Sequence, residues 1–296
     1  MGKKGCFTTK IDLSLSEKLT HDLLEQGFEF SKPPYTLFSA KKKGVTCTLY
    51  ESGNFTVQGK EMGPFIEFYL EPQILKTLHF SHPEIHLDLT EHIGLDEAGK
   101  GDFFGPLCVA AVYADAKGIT QLHKMGVRDS KQISDTSILK LAKQIRTQYP
   151  YTVIRLFPQK YNELYAKFKN LNRFLGWAHT AALGDLSQKT GCRKAILDQF
   201  AHPNIVKQAM KQKKLELDLE QKVRGEQDLV VAAASILARA AFLEGIEELS
   251  REYGISLPKG ASQQVIVVAN QLVAKFGKEV LPKVAKVHFK TTHAIG

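Results

Sequence analysis

The chain has 296 residues, 43% of them hydrophobic, and this length and composition allow a globular core in one domain or two. No stretch approaches the roughly 20 consecutive apolar residues of a membrane span, and the N-terminus lacks the apolar segment of a secretory signal. We therefore expect no membrane association. The four cysteines are far apart and form no CxxC pair, which indicates reduced thiols in a cytoplasmic protein.

The charge is unevenly distributed along the chain. The formal net charge is +9, which suits an anionic partner. Residues 1–85 hold 10 Lys and Arg against 10 Asp and Glu, so residues 86–296 carry the whole excess, 30 against 21. A solvated basic surface would give the same balance, so charge alone leaves nucleic acid binding open.

The first segment, residues 1–80, has the pattern of a small α+β domain. Ser14 and Glu17 have the spacing of a capping box, and Gly27 is placed as a helix stop. A tight-turn signal follows the second predicted strand, so the last two strands should form a hairpin. The predicted elements are a helix at 13–27, strands at 35–40, 44–51 and 54–58, and a helix at 64–78. A linker is predicted at 81–90.

The second segment, residues 91–296, alternates strands and helices. This pattern predicts a mixed α/β domain with one central sheet and flanking helices. The predicted strands are 92–96, 107–114, 151–157 and 194–198. The predicted helices are 135–148, 159–168, 171–190, 228–253, 263–276 and a short one after 278.

Acidic residues stand where predicted strands end. Asp96 and Glu97 follow an apolar run, and Asp198 ends another one, which is a common place for catalytic residues in α/β sheets. Converging carboxylates repel each other unless cations neutralise them, and Mg²⁺ and Mn²⁺ prefer oxygen ligands. Two such ions about 4 Å apart can activate a water and stabilise a leaving oxygen. Taken singly, each acid also fits a turn or a helix cap.

A fourth carboxylate precedes the apolar helix that begins near residue 229. Glu226 lies close to the start of this helix, and so does Asp228. Each of these two residues is also explained as an acidic side chain that the helix dipole stabilises at the N-terminus of the helix, without any part in catalysis. We therefore keep Asp228 as a rival to Glu226 for the fourth place in the acidic site.

The motif Asp-Glu-Ala-Gly-Lys-Gly at 96–101, continued by Gly-Pro at 105–106, resembles the signature of type 2 ribonucleases H. The segments at 127–131 and 231–239 resemble the Asp-Ser-Lys element and the Ala-Ala-Ser-Ile helix of that family. The lysine of the glycine motif, the segments at 197–200 and 258–261 and the N-terminal extension are most similar to the ribonuclease HIII branch. These similarities span roughly residues 92–290.

The resemblance implies an RNase H-like fold and a divalent-metal endoribonuclease that cleaves the RNA strand of RNA–DNA hybrids. The products would carry 5′-phosphate and 3′-hydroxyl ends. It further implies that Asp96, Glu97, Asp198 and Glu226 are the metal-binding acids, with Mg²⁺ or Mn²⁺ as the cofactor. Glu226 needs a one-residue gap against the family helix, so the rivalry of Asp228 stays open.

Substrate contacts are also implied by the resemblance. Backbone groups of Gly99, Lys100 and Gly101 can reach a ribose 2′-hydroxyl, which distinguishes RNA from DNA, only if no side chain blocks them. Without the family motif, the same tripeptide would fit a β-turn with an exposed lysine. Ser130 and Lys131 resemble phosphate contacts of the family.

The first domain resembles the TATA-binding-protein-like extension of ribonuclease HIII, which implies hybrid binding by its sheet. Lys41, Lys42 and Lys43 lie near four aromatic residues that could grip a nucleic acid backbone, although half of these must build the domain's own core. The four are Tyr35, Phe38, Tyr50 and Phe55.

The sequence thus predicts a ribonuclease HIII-like enzyme whose partner is an RNA–DNA hybrid. It indicates no obligate protein partner and is compatible with a monomer. One alternative is an enzyme of the ribonuclease HII type, which excises single ribonucleotides embedded in DNA. Another is a non-catalytic hybrid-binding protein, against which the intact acids argue.

Overall fold

The computed structural model describes residues 5–76 and 87–296, apart from the side chains of Gln132 and Glu226. Its contacts divide the chain into two compact units, Met1–Asp88 and Leu89–Gly296. Each unit has a hydrophobic core of its own. The predicted linker at 81–90 lies for the most part outside the described residues.

Unit 1 is built on a five-stranded antiparallel sheet in the order β1-β5-β4-β3-β2. The strands are β1 (Cys6–Lys10), β2 (Glu29–Ser31), β3 (Thr36–Lys42), β4 (Val45–Tyr50) and β5 (Asn54–Gln58). Its helices are α1 (Ser16–Glu25) and the short α2 (Met62–Phe65), which continues as the π-helical segment Ile66–Leu75.

The core of unit 1 follows from the alternation along its strands. In β4 the residues Val45, Cys47 and Leu49 are buried, while their neighbours Thr46 and Thr48 are only partly covered. Successive strand residues point to opposite faces, so one face packs on the helices and the other carries hydroxyl groups. The buried residues of both helices join the same core.

Two sequence expectations for unit 1 need correction. Strands β1 and β2 were not predicted, because they are short edge strands with two and one apolar residues, too few to show alternation. The capping box of Ser14 and Glu17 does not form. Asp12 caps a 3₁₀ turn, Leu13–Leu15, and α1 then begins at Ser16 without a side-chain cap. The end of the second predicted helix, 77–78, lies outside the described residues.

Unit 2 contains a mixed five-stranded sheet in the order β10-β9-β6-β7-β8. Strands β6, β7 and β8 pair antiparallel, whereas β9 runs parallel to β6 and β10 parallel to β9. The strands are β6 (His92–Ala98), β7 (Leu107–Ala114), β8 (Tyr151–Leu156), β9 (Lys194–Asp198) and β10 (Asp218–Lys222).

Helices flank this sheet on both faces. One core cluster joins the sheet to α5, α6 and α7, and a second joins its other face to α3, α4 and α8. The helices are α3 (Ala116–Lys124), α4 (Asp135–Gln148), α5 (Pro158–Phe168), α6 (Leu171–Thr190), α7 (Asn204–Gln212), α8 (Leu229–Tyr253), α9 (Gln263–Phe276) and α10 (Leu281–Val284).

Helix α8 is the central helix of unit 2. By length and composition alone it could cross a membrane, but 78% of its most apolar window is buried within the protein. Its small residues let it lie close against β6 and β7, which a helix with larger side chains could not do. The apolar character of α8 therefore reflects its place in the core.

The sequence missed three elements of unit 2, namely α3, α7 and β10. Strand β10 has the sequence Asp-Leu-Glu-Gln-Lys and lies at the edge of the sheet, so only one apolar side chain marks it. Helices α3 and α7 are clearly amphipathic, but they have only nine residues each and bury two residues apiece. Helices of this length are shorter than the roughly 11–18 residues over which helical periodicity is read.

Candidate active site

Two of the predicted acids lie side by side at the end of the sheet. Strand β6 runs parallel to β9, and Leu95 pairs with Leu197. The residues that follow, Asp96 and Asp198, are therefore neighbours on adjacent strands. Parallel pairing thus brings together two carboxylates that are about a hundred positions apart in the sequence.

Glu97 is held on the other face of the sheet. Consecutive strand residues point to opposite sides, and Glu97 accordingly turns toward α6, where Nε2 of His179 donates to its Oε2 at 3.0 Å. Nζ of Lys100 lies 3.6 Å from Oε1 of the same carboxylate. The ring of Phe200 stacks on His179 with centroids 5.1 Å apart, and Nζ of Lys100 lies 5.3 Å from the centre of that ring.

The electrostatics differ between these neighbouring acids. Burial, followed by the charge of Glu97 and that of Asp198, raises the pKa of Asp96 to about 8. Burial alone would also raise the pKa of Glu97, but the hydrogen bond and charge of His179 and the nearby Lys100 outweigh it and lower that pKa. Asp96 is therefore the carboxylate whose negative charge lacks compensation.

A chain of hydroxyl groups links the acids to the predicted Asp-Ser-Lys element. The hydroxyl of Ser235 on α8 lies close enough to Asp96 to favour the ionised form of its carboxyl. The hydroxyl of Ser235 also lies 2.5 Å from that of Ser130. Lys131 follows in a short 3₁₀ turn that Asp129 caps, and its side chain is exposed. The structure thus places Ser130 beside the acids and Lys131 at the adjoining surface.

A glycine lets α8 begin directly over the acidic strand. A Cβ on Gly94 of β6 would lie 2.3 Å from the backbone of Val230 and of Val231, so only glycine fits there. Asp228 is the N-cap of α8, and its Oδ1 accepts from the amides of those two valines at 2.9 and 3.0 Å. The same oxygen lies 3.0 Å from Nε2 of the buried His92.

These contacts separate the two rivals for the fourth place. Asp228 serves the helix end and His92, with three interactions on one oxygen. The backbone of Glu226 lies in the 3₁₀ turn Gly225–Gln227, next to Asp198, because the Gly225 amide donates to Oδ1 of Asp198 at 2.8 Å. The side chain of Glu226 lies outside the described residues, so the turn alone places this acid near Asp198.

The predicted glycine motif lies in a loop between β6 and β7, which we call the glycine loop (residues 99–105). Gly99 has a φ of +85°, and a Cβ there would lie 2.2 Å from the carbonyl oxygen of Pro106. A Cβ on Gly101 would meet nothing within 4 Å. The loop therefore needs glycine at 99 for its own packing, whereas 101 faces open space.

The residues at this sheet end fit a hard divalent cation. The described side chains alone contain no group of three His, Cys, Asp or Glu residues arranged around one point. Nevertheless, the donors are carboxylate oxygens, and burial beside other acids raises the pKa of Asp96, so ionisation of this carboxyl is disfavoured without a cation. A Mg²⁺ or Mn²⁺ ion supplies such a positive charge.

The sequence analysis gave no site role to three residues that contact the acids or their partners. Ser235 and Phe200 belong to the family-like segments 231–239 and 197–200, whereas His179 lies in the apolar helix α6 outside any such segment. A polar residue in an apolar helix was the signal for His179, but it does not show which strand residue the side chain will contact. Only the packing of α6 and α8 on opposite faces of β6 answers that.

Sequence comparison identifies relatives over nearly the whole chain. A family model described as Ribonuclease HII matches residues 93–292. Ribonuclease HIII of Protochlamydia amoebophila is 52% identical over 289 residues, which cover 98% of this chain and 96% of that protein. Ribonuclease HIII of Chlamydia abortus is 48% identical over 292 residues, covering 98% and 97%.

The chain belongs to the ribonuclease HIII family. Solved structures of this family have the same architecture. A crystal structure of Bst-RNase HIII in complex with Mn²⁺ aligns with a TM-score of 0.69 and 28% identity, covering 98% of this chain and 97% of that one. The crystal structure of Aquifex aeolicus RNase H3 aligns with a TM-score of 0.58 and 27% identity, covering 96% and 100%.

The comparisons confirm the family resemblance and the RNase H-like fold that the motifs predicted. They also match unit 1, since a second family model, described as a domain of unknown function (DUF3378), covers residues 7–78. The ribonuclease HIII family thus accounts for both units of the chain.

Proposed function

We propose that this chain is an endoribonuclease that hydrolyses the RNA strand of RNA–DNA hybrids and leaves 5′-phosphate and 3′-hydroxyl ends. Membership of the ribonuclease HIII family supports this reaction. The observation that carries it is the pairing of Asp96 with Asp198 at the end of two parallel strands, beside Glu97 and an open glycine loop.

The proposed cofactor is Mg²⁺ or Mn²⁺, held by Asp96, Glu97, Asp198 and Glu226. The Bst-RNase HIII relative was crystallised with Mn²⁺. When bound, the metal supplies an activated water and charge stabilisation for the leaving oxygen. We assign the fourth place to Glu226, because Asp228 already caps α8 and pairs with His92.

The chain's own residues bind and orient the substrate. The open backbone at Gly101 and its neighbours is the proposed contact to the ribose 2′-hydroxyl. Lys100, Ser130 and Lys131 are the proposed contacts to phosphates on either side. Ser130 lies at the end of the hydroxyl chain that reaches Asp96, so a phosphate bound there would approach the acids.

Unit 1 is proposed to bind the hybrid with the open face of its sheet. Paired residues in all five strands place one row of hydroxyls across this face: Thr8, Thr56, Thr48, Ser39 and Ser31. Of the four aromatics near the lysines, Phe38 and Phe55 are buried in the core, whereas Tyr35 is 82% exposed and Tyr50 is 36% exposed. Hydroxyls and exposed tyrosines are suited to phosphate and sugar contacts.

A cytoplasmic location is also part of the proposal. All four cysteines are free thiols, and Cys47, Cys108 and Cys192 are buried. Burial raises the pKa of Cys47 and of Cys108 to about 12, so these thiols are unreactive and suit a reducing compartment.

A cleavage assay tests the proposal directly. The full chain should cut the RNA strand of a hybrid in Mg²⁺ or Mn²⁺ and should stop in EDTA. Asp96→Asn should lower the rate by about 10³-fold or more while hybrid binding is largely retained. Absence of metal-dependent cleavage, or an unchanged rate in this variant, would contradict it.

The ribonuclease HII-type alternative is tested in the same assay. A DNA duplex that carries a single ribonucleotide should be cut far more slowly than a hybrid. Efficient cutting of that duplex would favour the alternative, whereas tight hybrid binding without any cleavage would indicate a non-catalytic binding protein.

A further inference from the structure

Lys286 is a buried lysine that the proposed chemistry does not use. Its side chain is fully buried, near the C-terminal end of unit 2. Its ammonium nitrogen donates to three backbone carbonyls of the glycine loop: Gly105 at 2.7 Å, Asp102 at 2.8 Å and Phe104 at 3.3 Å. Lysines are almost never fully buried unless they are paired with an acid. The burial of Lys286 against three carbonyls therefore needs a physical explanation.

The three carbonyls converge on one point because the chain turns tightly between 102 and 105. Carbonyl dipoles that point at a common centre repel each other, and a buried carbonyl without a donor is costly. Burial lowers the pKa of Lys286 to about 7, and the protonated amine has three hydrogens, so it satisfies all three oxygens at once. Tyr161 closes the other side, with its ring centre 5.7 Å from the ammonium nitrogen.

Backbone hydrogen bonds attach the same turn to two other segments. The amide of Phe103 donates to Gly260, and the amide of Gly105 donates to Val284. The amide of Lys286 itself donates to Phe103, and the amide of Gly260 to the side chain of Asp102. The rear of the glycine loop is therefore fixed, whereas its front at Gly101 faces open space.

We infer that Lys286 is a positioning residue for recognition of the RNA strand. Its ammonium group fixes residues 102–105, and this turn holds Gly99–Gly101 in the conformation that meets the ribose. The inference rests on the proposed function, because it assigns Lys286 to the loop that reads the 2′-hydroxyl. A loop that is ordered before binding loses no conformational freedom on binding, which favours affinity for the hybrid.

None of the acids contacts this lysine. Asp96 and Asp198 are placed by strand pairing, and Glu97 keeps the hydrogen bond from His179 on a different helix even if Lys100 of the glycine loop moves. Loss of the ammonium should therefore weaken hybrid binding without a comparable change in metal binding. A purely structural role in folding would not give this separation.

The test compares Lys286→Met with Lys283→Met. Lys283 is an exposed residue of the same C-terminal segment and serves as the control. We expect Lys286→Met to raise the KM for the hybrid about tenfold, with smaller changes in kcat and in Mn²⁺ affinity in the absence of nucleic acid. Hydrogen exchange at the amides of Phe103 and Gly105 should become faster. Lys283→Met should match the wild type in all four measurements.

A second experiment keeps Lys286 in place, so it tests the inference even if the Lys286→Met protein does not fold. In full-length Asp96→Asn protein, reductive methylation followed by mass spectrometry should modify Lys286 far more slowly than Lys283. Adding an RNA–DNA hybrid should slow the reaction at Lys286 further, whereas an all-DNA duplex should not, because only the hybrid engages the front of the loop.

Two results would overturn the inference. One is a Lys286→Met protein whose KM and loop exchange equal those of the wild type. The other is methylation of Lys286 that responds equally to hybrid and DNA, or to neither. Failure of the proposed function is a different outcome, since the wild-type chain would then not cleave the hybrid at all.

Discussion

At the scale of single residues, neighbouring carboxylates have different surroundings and hence different roles. Asp96 is buried between other acids, and its pKa is raised to about 8. Glu97 is compensated by His179 and Lys100, so its pKa is lowered. Asp228 is engaged with a helix end and a histidine. A count of acidic residues would treat all three alike, whereas their contacts separate them.

His179 should support the metal site through Glu97. It donates to Glu97 through Nε2, while its Nδ1 is buried without a partner among the described atoms. His179→Leu keeps the apolar volume and removes the donor, so Mn²⁺ affinity should fall about 10–100-fold. Titration calorimetry with Mn²⁺ on substrate-free protein measures this. His179→Gln, which retains a donor, should lose less, and equal affinity in all three proteins would remove His179 from the site.

Glu226 and Asp228 should give opposite results when they are neutralised. Glu226→Gln should abolish cleavage with little effect on stability. Asp228→Asn should keep a measurable rate but destabilise the fold by about 1–3 kcal/mol, because the cap and the partner of the buried His92 are weakened. Cleavage rates and urea unfolding of both variants measure this. Loss of cleavage in Asp228→Asn alone would exchange the two assignments.

The pH dependence of stability provides the control for Asp228. Burial alone would raise its pKa, but the hydrogen bonds from His92 and from two backbone amides lower it. Because the folded pKa lies below the unfolded value, the ionised carboxylate stabilises the native state at neutral pH. That contribution is lost as the pH falls through the folded pKa, below about 4. The difference in unfolding free energy between wild type and Asp228→Asn should therefore shrink in acid.

At the scale of elements, the close packing of α8 on β6 assembles the site. Small residues of α8 face the sheet, and Gly94 has no side chain that would collide with the start of this helix. The helix therefore begins directly against the strand that carries Asp96. The same helix supplies Ser235 to Asp96. The position of this helix therefore sets the distance between the strand acids and the turn at 225–227.

Gly94→Ala should be strongly destabilising. The added Cβ would overlap the backbone of Val230 and Val231 at 2.3 Å, and backbone cannot rotate away as a side chain can. We expect a loss of about 3 kcal/mol or more in urea unfolding and a reduced cleavage rate in the fraction that stays folded. Gly184→Ala in α6 is the matched control, since its Cβ would meet only Leu215 at 3.7 Å. A stable and fully active Gly94→Ala protein would contradict this account of the packing.

At the scale of the whole molecule, the proposed chemistry belongs to unit 2, whereas hybrid binding is proposed for both units. Every acid of the proposed site lies in unit 2, together with the glycine loop, while unit 1 has a separate core and an open hydroxyl face. The net basic charge also belongs to residues 86–296. Two linked modules that contact one long substrate gain affinity without changing the reaction itself.

Removal of residues 1–88 should therefore affect affinity more than turnover. We expect the KM for a long hybrid to rise about tenfold or more, with the rate at saturating substrate changed much less. Steady-state kinetics on hybrids of different length measure this. Equal affinity with and without the segment would indicate that unit 1 contacts a protein or contributes stability instead.

Much of this protein could be predicted from the sequence because its signals are local. The apolar runs before Asp96 and Asp198 indicated strands, and β7 and β9 have the predicted bounds of 107–114 and 194–198. The motif at 96–101 and its continuation at 105–106, together with the similar segments at 127–131, 197–200, 231–239 and 258–261 and the N-terminal extension, predicted the family, which the relatives confirm. These features depend on residues that are close together in the chain, so they can be read from the periodicity and spacing of the sequence.

Only the tertiary structure decided which distant residues meet. The register of β6 against β9 makes Asp96 and Asp198 neighbours, and the two-residue period of a strand sends Glu97 to α6 and Asp96 to α8. The carbonyls around Lys286 converge because segments at 102–105, 260 and 284–286 pack together. Such contacts are set by packing and by hydrogen bonds between segments far apart in the chain. They cannot be predicted from a local sequence pattern, because nothing in the sequence around one residue indicates which distant residue it will contact.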